Sequence, residues 1–171
     1  MKAIAIGNRK IGGGEKVFVI AETGINHDGE IDRAHQLIDA AADVGADCVK
    51  FQTHLAKHEM LPVDDTAEFI GESQYQLIKR MEMTEQQHIE LKSHTEERGL
   101  CFLSTPFSRE AADLLEGIGV DAYKIGSAEL TNLPLLSRIA AKGKPMVVST
   151  GMSAFAEVNE AVSLLREHGA D

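Results

Sequence analysis

Two lysines stand inside apolar runs that have the length and composition of buried strands. Lys50 lies in the run 48–52, and Lys124 lies in the run 122–126. Moving an ammonium group out of water costs free energy unless the charge is paired, so each lysine indicates either a function or a specific partner. Two lysines at equivalent places in two strands predict a pocket for a small, multiply charged anion such as a phosphate or a carboxylate.

The other three strand-like runs also end in polar residues, Glu22, Thr105 and Ser149, and Gln52 ends the run that holds Lys50. Ligands of α/β proteins bind at the carboxyl ends of the strands, so these groups are expected to surround the two lysines. The loops Gly126-Ser127 and Thr150-Gly151 bring backbone N–H groups that could approach an anion. The alternative interpretation is a pair of structural salt bridges, Lys50–Glu22 and Lys124–Glu129.

Glycines and apolar periodicity predict strands that alternate with helices. The predicted strands are 17–22, 48–52, 122–126, a run ending at Thr105 and a run ending at Ser149; the predicted helices are 31–44, 73–82, 84–98, 108–117, 134–142 and 154–168. Thr84 and Gln87 have capping-box spacing. Alternation of this kind predicts an α/β fold with parallel strands and right-handed crossovers. Residues 1–16 are predicted to form a separate hairpin that turns at Gly12-Gly13-Gly14.

Two architectures are consistent with this pattern. One is a complete, doubly wound sheet of five strands, such as a non-catalytic, flavodoxin-like domain that binds phosphate ligands. The other is the first part of an eight-unit barrel, which typically needs about 250 residues. Gly169-Ala170-Asp171 repeats Gly45-Ala46-Asp47, which leads into a strand. The chain is therefore expected to stop where a sixth strand would begin.

Composition limits the classes of partner. The chain has 171 residues, 43% hydrophobic, which predicts one domain, and a net charge of −10, which disfavours nucleic acid and anionic membranes. No apolar run is long enough to span a membrane, and no export signal opens the chain. Cys48 and Cys101 lie in apolar runs and are interpreted as core residues of a cytoplasmic protein.

The histidines give weaker signals. His27 follows the first predicted strand, where a substrate contact and a plain loop position are equally favoured. His54 and His58 are predicted to be solvated loop residues, and the helical histidines are predicted to be exposed: His35, His88, His94 and His168. No pair has convincing metal-ligand spacing with a third ligand nearby.

Six ordered motifs resemble those of one family, the sialic acid synthases (N-acetylneuraminate synthases). The motifs are residues 18–29, 45–52, 102–107, 123–129, 131–136 and 143–152. The resemblance covers nearly the whole chain. It implies a (β/α)8 barrel of the TIM type, cut short here after about five units, with residues 17–171 as its first part. The rest of the barrel and the family's antifreeze-like domain would be missing.

The resemblance also implies an activity. Phosphoenolpyruvate would condense with N-acetylmannosamine, a related N-acyl sugar or its 6-phosphate, giving a nine-carbon 2-keto acid and phosphate. The family uses a divalent metal, Mn2+ or Mg2+, and works as a homodimer. Its metal-ligand histidines would lie beyond Asp171, so the segment alone is expected to be inactive. Another phosphoenolpyruvate-dependent 3-deoxy-sugar-acid synthase is the close alternative.

By motif position, the resemblance assigns roles to eight residues. Those matching the phosphoenolpyruvate-binding residues are Lys50, Thr105, Lys124, Ser127 and Ser149, and those lining the reaction centre are Glu22, Gln52 and Glu129. Either Glu22 or Glu129 would stabilise the cationic centre or move the proton of water. The loop 53–75 lacks the family's usual acceptor-binding segment, which leaves the acceptor sugar open.

Overall fold

Strands and helices alternate along the chain from Ile20 onward, as the apolar pattern predicts. The computed structural model describes residues 3–63, 66 and 71–170. Its strands are β1 (Ile4–Ile6), β2 (Arg9–Ile11), β3 (Ile20–Gly24), β4 (Cys48–Thr53), β5 (Cys101–Pro106), β6 (Tyr123–Ile125) and β7 (Met146–Val148). Its helices are α1 (Ile31–Asp43), α2 (Ala56–Glu59), α3 (Gln74–Met81), α4 (Glu85–Glu97), α5 (Arg109–Gly117), α6 (Leu133–Ala140) and α7 (Phe155–Glu167), and Ser127–Glu129 form a 3-10 turn.

The parallel strands follow one another in sequence order. β3, β4 and β5 form one parallel sheet, β6 and β7 form a second, and β5 packs beside β6. A doubly wound sheet reverses its strand order at a switch point and carries helices on both faces. Within the described ranges the order has no reversal, and the long helices share one apolar cluster with one face of the strands. This arrangement belongs to a β/α barrel and not to the flavodoxin-like alternative.

Side chains along each strand alternate between two faces, and each face belongs to a different apolar cluster. Val49 and Phe51 of β4 face the helices, as do Tyr123 and Ile125 of β6. The opposite face carries a smaller cluster built from Cys48, Leu103 and their neighbours. Since Lys50 and Lys124 occupy the alternate positions, they share the second face, as the sequence predicts.

An N-terminal hairpin closes the amino ends of the strands. β1 and β2 pair antiparallel, and the fully buried Ile6 packs against Cys48 and Cys101 at the starts of β4 and β5. The hairpin turns at Gly7, whose φ is +56°, and not at Gly12–Gly14 as predicted. Two-residue hairpin loops of one common type have glycine at their first position, and here the loop directly follows the buried Ile6.

A capping box begins α4, as predicted. The Thr84 hydroxyl accepts a hydrogen bond from the Gln87 backbone N–H at 3.2 Å, and the Thr84 N–H donates to Gln87 Oε1 at 2.8 Å. These bonds satisfy N–H groups that an uncapped helix start leaves unpaired. The cap fixes the first turn of α4, from which His88 extends back toward the sheet.

The loop after β3 packs tightly against α3. Gly29 has φ of +79°, and a Cβ at this position would lie well inside 3.0 Å of the Arg80 carbonyl oxygen. The neighbouring Asp28 forms an ion pair with the Arg80 guanidinium. Only glycine allows both the left-handed backbone and this close approach.

Candidate active site

Lys50 forms an ion pair across two neighbouring strands. Glu22 of β3 lies opposite Lys50 of β4 in the parallel register, and the two side chains form a salt bridge. The Lys50 side chain is 10% exposed, whereas Glu22 is 54% exposed. The Thr23 hydroxyl donates to the Lys50 carbonyl oxygen at 2.6 Å and fixes the end of β3 against β4. Within the described part of the chain, the buried ammonium therefore pairs with a carboxylate on its solvent side.

Lys124 lies nearby in a different environment. Its Nζ donates to Ser149 Oγ and to the Ile125 carbonyl oxygen, each at 2.5 Å. Burial lowers the pKa of Lys124 below its ordinary value, and the positive charge of Lys50 lowers this pKa further, against the opposing effect of Glu22. Two ammonium groups that repel one another at a partly buried place favour binding of an anion between them.

The alternative of two structural salt bridges is half right. The Lys50–Glu22 pair exists, but Lys124 bonds to Ser149 and a carbonyl oxygen. Glu129, in the 3-10 turn, instead accepts from Asn132 Nδ2 at 2.7 Å. Lys124 therefore has no carboxylate bound to it among the described residues, and its charge remains available to a ligand.

Four of the other predicted site residues lie close to glycines at the ends of the strands. A Cβ on Gly24 would lie 3.5 Å from Glu22 Oε1 and 3.8 Å from Gln52 Nε2, so these two side chains meet at the end of β3. The corresponding distances are 2.8 Å from Gly151 to Ser127 Oγ and 3.6 Å from Gly126 to the Thr105 methyl group. The predicted polar groups are thus gathered at the carboxyl ends of the strands.

His88 is buried, contrary to the prediction that it is exposed. Its Nδ1 lies 2.9 Å from the Thr84 carbonyl oxygen and its Nε2 lies 3.1 Å from Thr53 Oγ1, which in turn lies 2.7 Å from Ser104 Oγ. Burial lowers the pKa of His88. This polar chain joins α4 to the ends of β4 and β5. The hydroxyls at helix-facing positions of two buried strands are the sequence signal for it.

Of the three loop histidines, one lies where it was predicted and one does not. His58 is exposed, as predicted, but His54 is buried and bonds to Gln52 and Glu59, so its prediction as a solvated residue was wrong. His27 is 1% exposed, and burial, reinforced by His88, lowers its pKa to about 4. Its Nδ1 accepts from the Gly29 N–H at 3.0 Å, which makes it a neutral loop anchor.

On the helices, only His168 is as exposed as predicted. His35 and His94 are half-buried and stack at 4.6 Å between α1 and α4. Each ring covers part of the other. The pattern of apolar residues could not reveal this contact, so both histidines were wrongly predicted to be exposed.

Several expectations concern groups outside this cluster. Across the described ranges, no three His, Cys, Asp or Glu side chains form a group that could hold a metal ion. These residues alone therefore do not form the divalent-metal site that the family resemblance implies. Residues 64, 65 and 67–70 of the expected acceptor loop lie outside the described residues. No helix among the described residues is long and apolar enough to cross a membrane.

Both cysteines are buried and free, as predicted. Burial raises the pKa of the Cys48 thiol to about 12 and also raises that of Cys101. A thiol with a raised pKa holds little thiolate and is a weak nucleophile. Both residues therefore belong to the apolar core beneath the site.

Comparison with known proteins gives one consistent family. The NeuB family model matches residues 37–171. The chain is 41% identical over 162 residues to the N,N'-diacetyllegionaminic acid synthase of Campylobacter jejuni, covering 91% of this chain and 48% of that protein. It is 32% identical over 163 residues to human N-acetylneuraminate-9-phosphate synthase, covering 92% of this chain and 45% of that protein.

A solved structure agrees with these sequence matches. The N-acetylneuraminic acid synthetase of Leptospira borgpetersenii superposes with a TM-score of 0.85 at 33% identity, covering 98% of this chain and 56% of that one. The chain spans about half the length of the curated relatives that it matches. The described fold is thus shared over nearly all of this chain.

Proposed function

This chain belongs to the NeuB family, and on that premise we propose that the full-length protein condenses phosphoenolpyruvate with an N-acyl amino sugar. The products would be a sialic-acid-type 2-keto acid and inorganic phosphate. The observation that carries this proposal is the meeting of Lys50 and Lys124 at the carboxyl ends of the strands. A chain with a net charge of −10 needs such a local positive field to hold an anionic donor.

The donor carries a carboxylate and a phosphate close together, which suits two ammonium groups and several hydroxyls. We assign this binding to Lys50 and Lys124, together with the hydroxyls of Thr105, Ser127 and Ser149. Thr105 is 3% exposed, and Ser149 is held by Lys124. Partly buried donors of this kind lose little energy to reorganisation when charge develops on the ligand.

The reaction places specific demands on these residues. Carbon 3 of the enol attacks the aldehyde carbon of the sugar, and a new C–C bond forms while positive charge develops at carbon 2. Water adds at carbon 2, and the tetrahedral product releases phosphate to leave the 2-keto acid. Glu22 is the better candidate to stabilise that cation or accept the proton of water. It contacts Lys50, whereas Glu129 is held by Asn132.

The acceptor sugar separates the related activities. The Campylobacter relative is named for a product with two N-acetyl groups, and the human relative for a phosphorylated N-acetylneuraminate. We propose an N-acyl amino sugar as the acceptor class, which includes N-acetylmannosamine and its 6-phosphate. The divalent metal and the homodimer stay predictions from the family resemblance, and the cytoplasmic location stays a prediction from the two cysteines.

Phosphate release tests the proposed function. The full-length protein is incubated with phosphoenolpyruvate and Mn2+, and separate reactions contain N-acetylmannosamine, its 6-phosphate, a hexose with two acetamido groups, or arabinose 5-phosphate. Release that depends on one of the first three acceptors is expected. Release with arabinose 5-phosphate alone would favour the other 3-deoxy-sugar-acid synthase. Donor binding without release in every reaction would contradict the proposed condensation.

Donor binding is expected to take up protons at alkaline pH. Burial and Lys50 lower the pKa of Lys124 in the free protein, and a bound anion favours the charged ammonium, which raises that pKa again. Between the two pKa values, binding therefore draws a proton from solution. Calorimetry of phosphoenolpyruvate binding in buffers of different ionisation enthalpy measures this uptake. The uptake should vanish in Lys124→Met, and an equal uptake in that variant would assign the proton to another group.

A further inference from the structure

The His54 ring is held on three sides at the end of β4. Its Nδ1 lies 3.0 Å from each carboxylate oxygen of Glu59, and its Nε2 lies 3.0 Å from Gln52 Oε1. The ring stacks on Phe107 with centroids 4.2 Å apart and planes 12° from parallel. The side chains of His54 and Glu59 are only 7% and 6% exposed. With both nitrogens bonded and one face covered, the ring has a single orientation.

The hydrogen-bonding partners of His54 are acceptors. An ionised carboxylate only accepts hydrogen bonds, and so does the carbonyl oxygen of an amide. Both ring nitrogens of His54 face acceptor oxygens, those of Glu59 at Nδ1 and that of Gln52 at Nε2. The ring and the Glu59 carboxylate meet in a place with little water.

This arrangement also orients Gln52. Since Oε1 of Gln52 accepts from His54, the amide NH2 group points away from the ring. It lies beside Gly24, where Glu22 Oε1 also lies. Without the bond from His54 the amide could rotate and present its oxygen to the same place, next to the Glu22 carboxylate. An oxygen there would repel an anionic or carbonyl oxygen of a ligand.

We propose that Glu59 and His54 form a relay that turns the NH2 group of Gln52 into the pocket beside Glu22. His54 is thus a positioning residue, and Gln52 is the group that donates to a substrate oxygen. The inference rests on the proposed function for the identity of that oxygen, on the acceptor sugar or at the reacting carbons. The orientation of the amide itself follows from the contacts of the chain alone.

Two substitutions of His54 separate positioning from packing. Glutamine places its amide nitrogen near the former Nε2 and keeps a donor to Gln52. Asparagine places its amide near the former Nδ1 and keeps the contact with Glu59 but loses the one with Gln52. Displacement of a reacting group by about 1 Å can cost about 100-fold in rate, so His54→Asn is expected to lower kcat/KM for the acceptor sugar by about that factor. His54→Gln should retain most of the activity.

Donor binding and a neighbouring histidine serve as controls. The Kd for phosphoenolpyruvate should stay unchanged in both His54 variants, because Lys50 and Lys124 are intact. His58→Asn changes an exposed histidine four residues away, paired with Glu110 at 3.6 Å, and should leave both kcat and KM unchanged. Equal losses in His54→Asn and His54→Gln would assign His54 a packing role and overturn the relay.

A spectroscopic measurement tests the relay independently of turnover. In 15N-labelled protein, the side-chain amide signals of Gln52 should shift in His54→Asn and remain near their wild-type positions in His54→Gln. Unchanged Gln52 signals in His54→Asn would overturn the relay. Failure of the wild-type protein to bind phosphoenolpyruvate would instead count against the proposed function, and the Gln52 comparison would still decide the relay.

Discussion

Replacing Lys50 with methionine is expected to weaken phosphoenolpyruvate binding by about 2–5 kcal/mol, the range for removing one partner of a buried charge pair. That loss corresponds to a roughly 30-fold to several-thousand-fold increase in Kd. Methionine keeps an unbranched apolar stem at this position, opposite Leu103 in the register of β4 and β5, so the change removes mainly the ammonium group. Titration calorimetry of the folded variant measures the effect, and Lys124→Met should behave similarly.

A surface lysine provides the matched control. Lys10 lies on the exposed hairpin strand β2, at the amino end and away from the site. Lys10→Met changes the net charge by the same amount, so any effect of the overall charge appears in both variants. We expect its Kd for phosphoenolpyruvate to equal that of the unmodified chain. A Lys50→Met variant that binds as tightly as the control would remove Lys50 from the donor site.

Gly29→Ala is expected to destabilise the fold by about 2–5 kcal/mol. A left-handed backbone costs a non-glycine residue about 1–2 kcal/mol, and an overpacked contact adds about 1–3 kcal/mol. Both apply at Gly29, where the added Cβ meets a backbone carbonyl oxygen of α3 that cannot rotate away. Urea denaturation followed by circular dichroism measures the free energy of unfolding.

Gly45 separates the two contributions. Its φ of +78° matches that of Gly29, but nothing lies within 4 Å of a Cβ placed on it. Gly45→Ala should therefore lose only the backbone contribution of about 1–2 kcal/mol. If Gly29→Ala and Gly45→Ala lose the same free energy, α3 can move away from the loop, and the tight contact contributes nothing to stability.

The regular elements could be predicted because their signals are local. The apolar face of α1 and the capping box of α4 are visible within one window of sequence, and their observed bounds agree with the predicted ones to one residue. The shared face of Lys50 and Lys124 followed from alternation along two short strands. Periodicity could not choose between barrel and doubly wound sheet, because strand order depends on how distant segments pair.

The hydroxyls of Thr53 and Ser104 signal a polar network, but its pairing could not be predicted, because the partners are far apart in sequence. Thr53 contacts His88 across 35 positions and Ser104 across 51. Such long-range pairs produce no periodic pattern in the sequence. Each histidine, taken alone, suggests a surface position. The short helix α2 was missed for a related reason. Its four residues lie in a polar stretch, yet they bring Glu59 back to His54.

The N-terminal hairpin has a consequence for how substrates reach the site. Ile6 is fully buried among the beginnings of the strands, so the hairpin covers the amino ends of β4 and β5. The lysines lie toward the other, carboxyl ends of the strands. If the proposed condensation is right, donor and acceptor both bind from the carboxyl ends of the strands. The nine-carbon product must then be released from the same place before the next cycle starts.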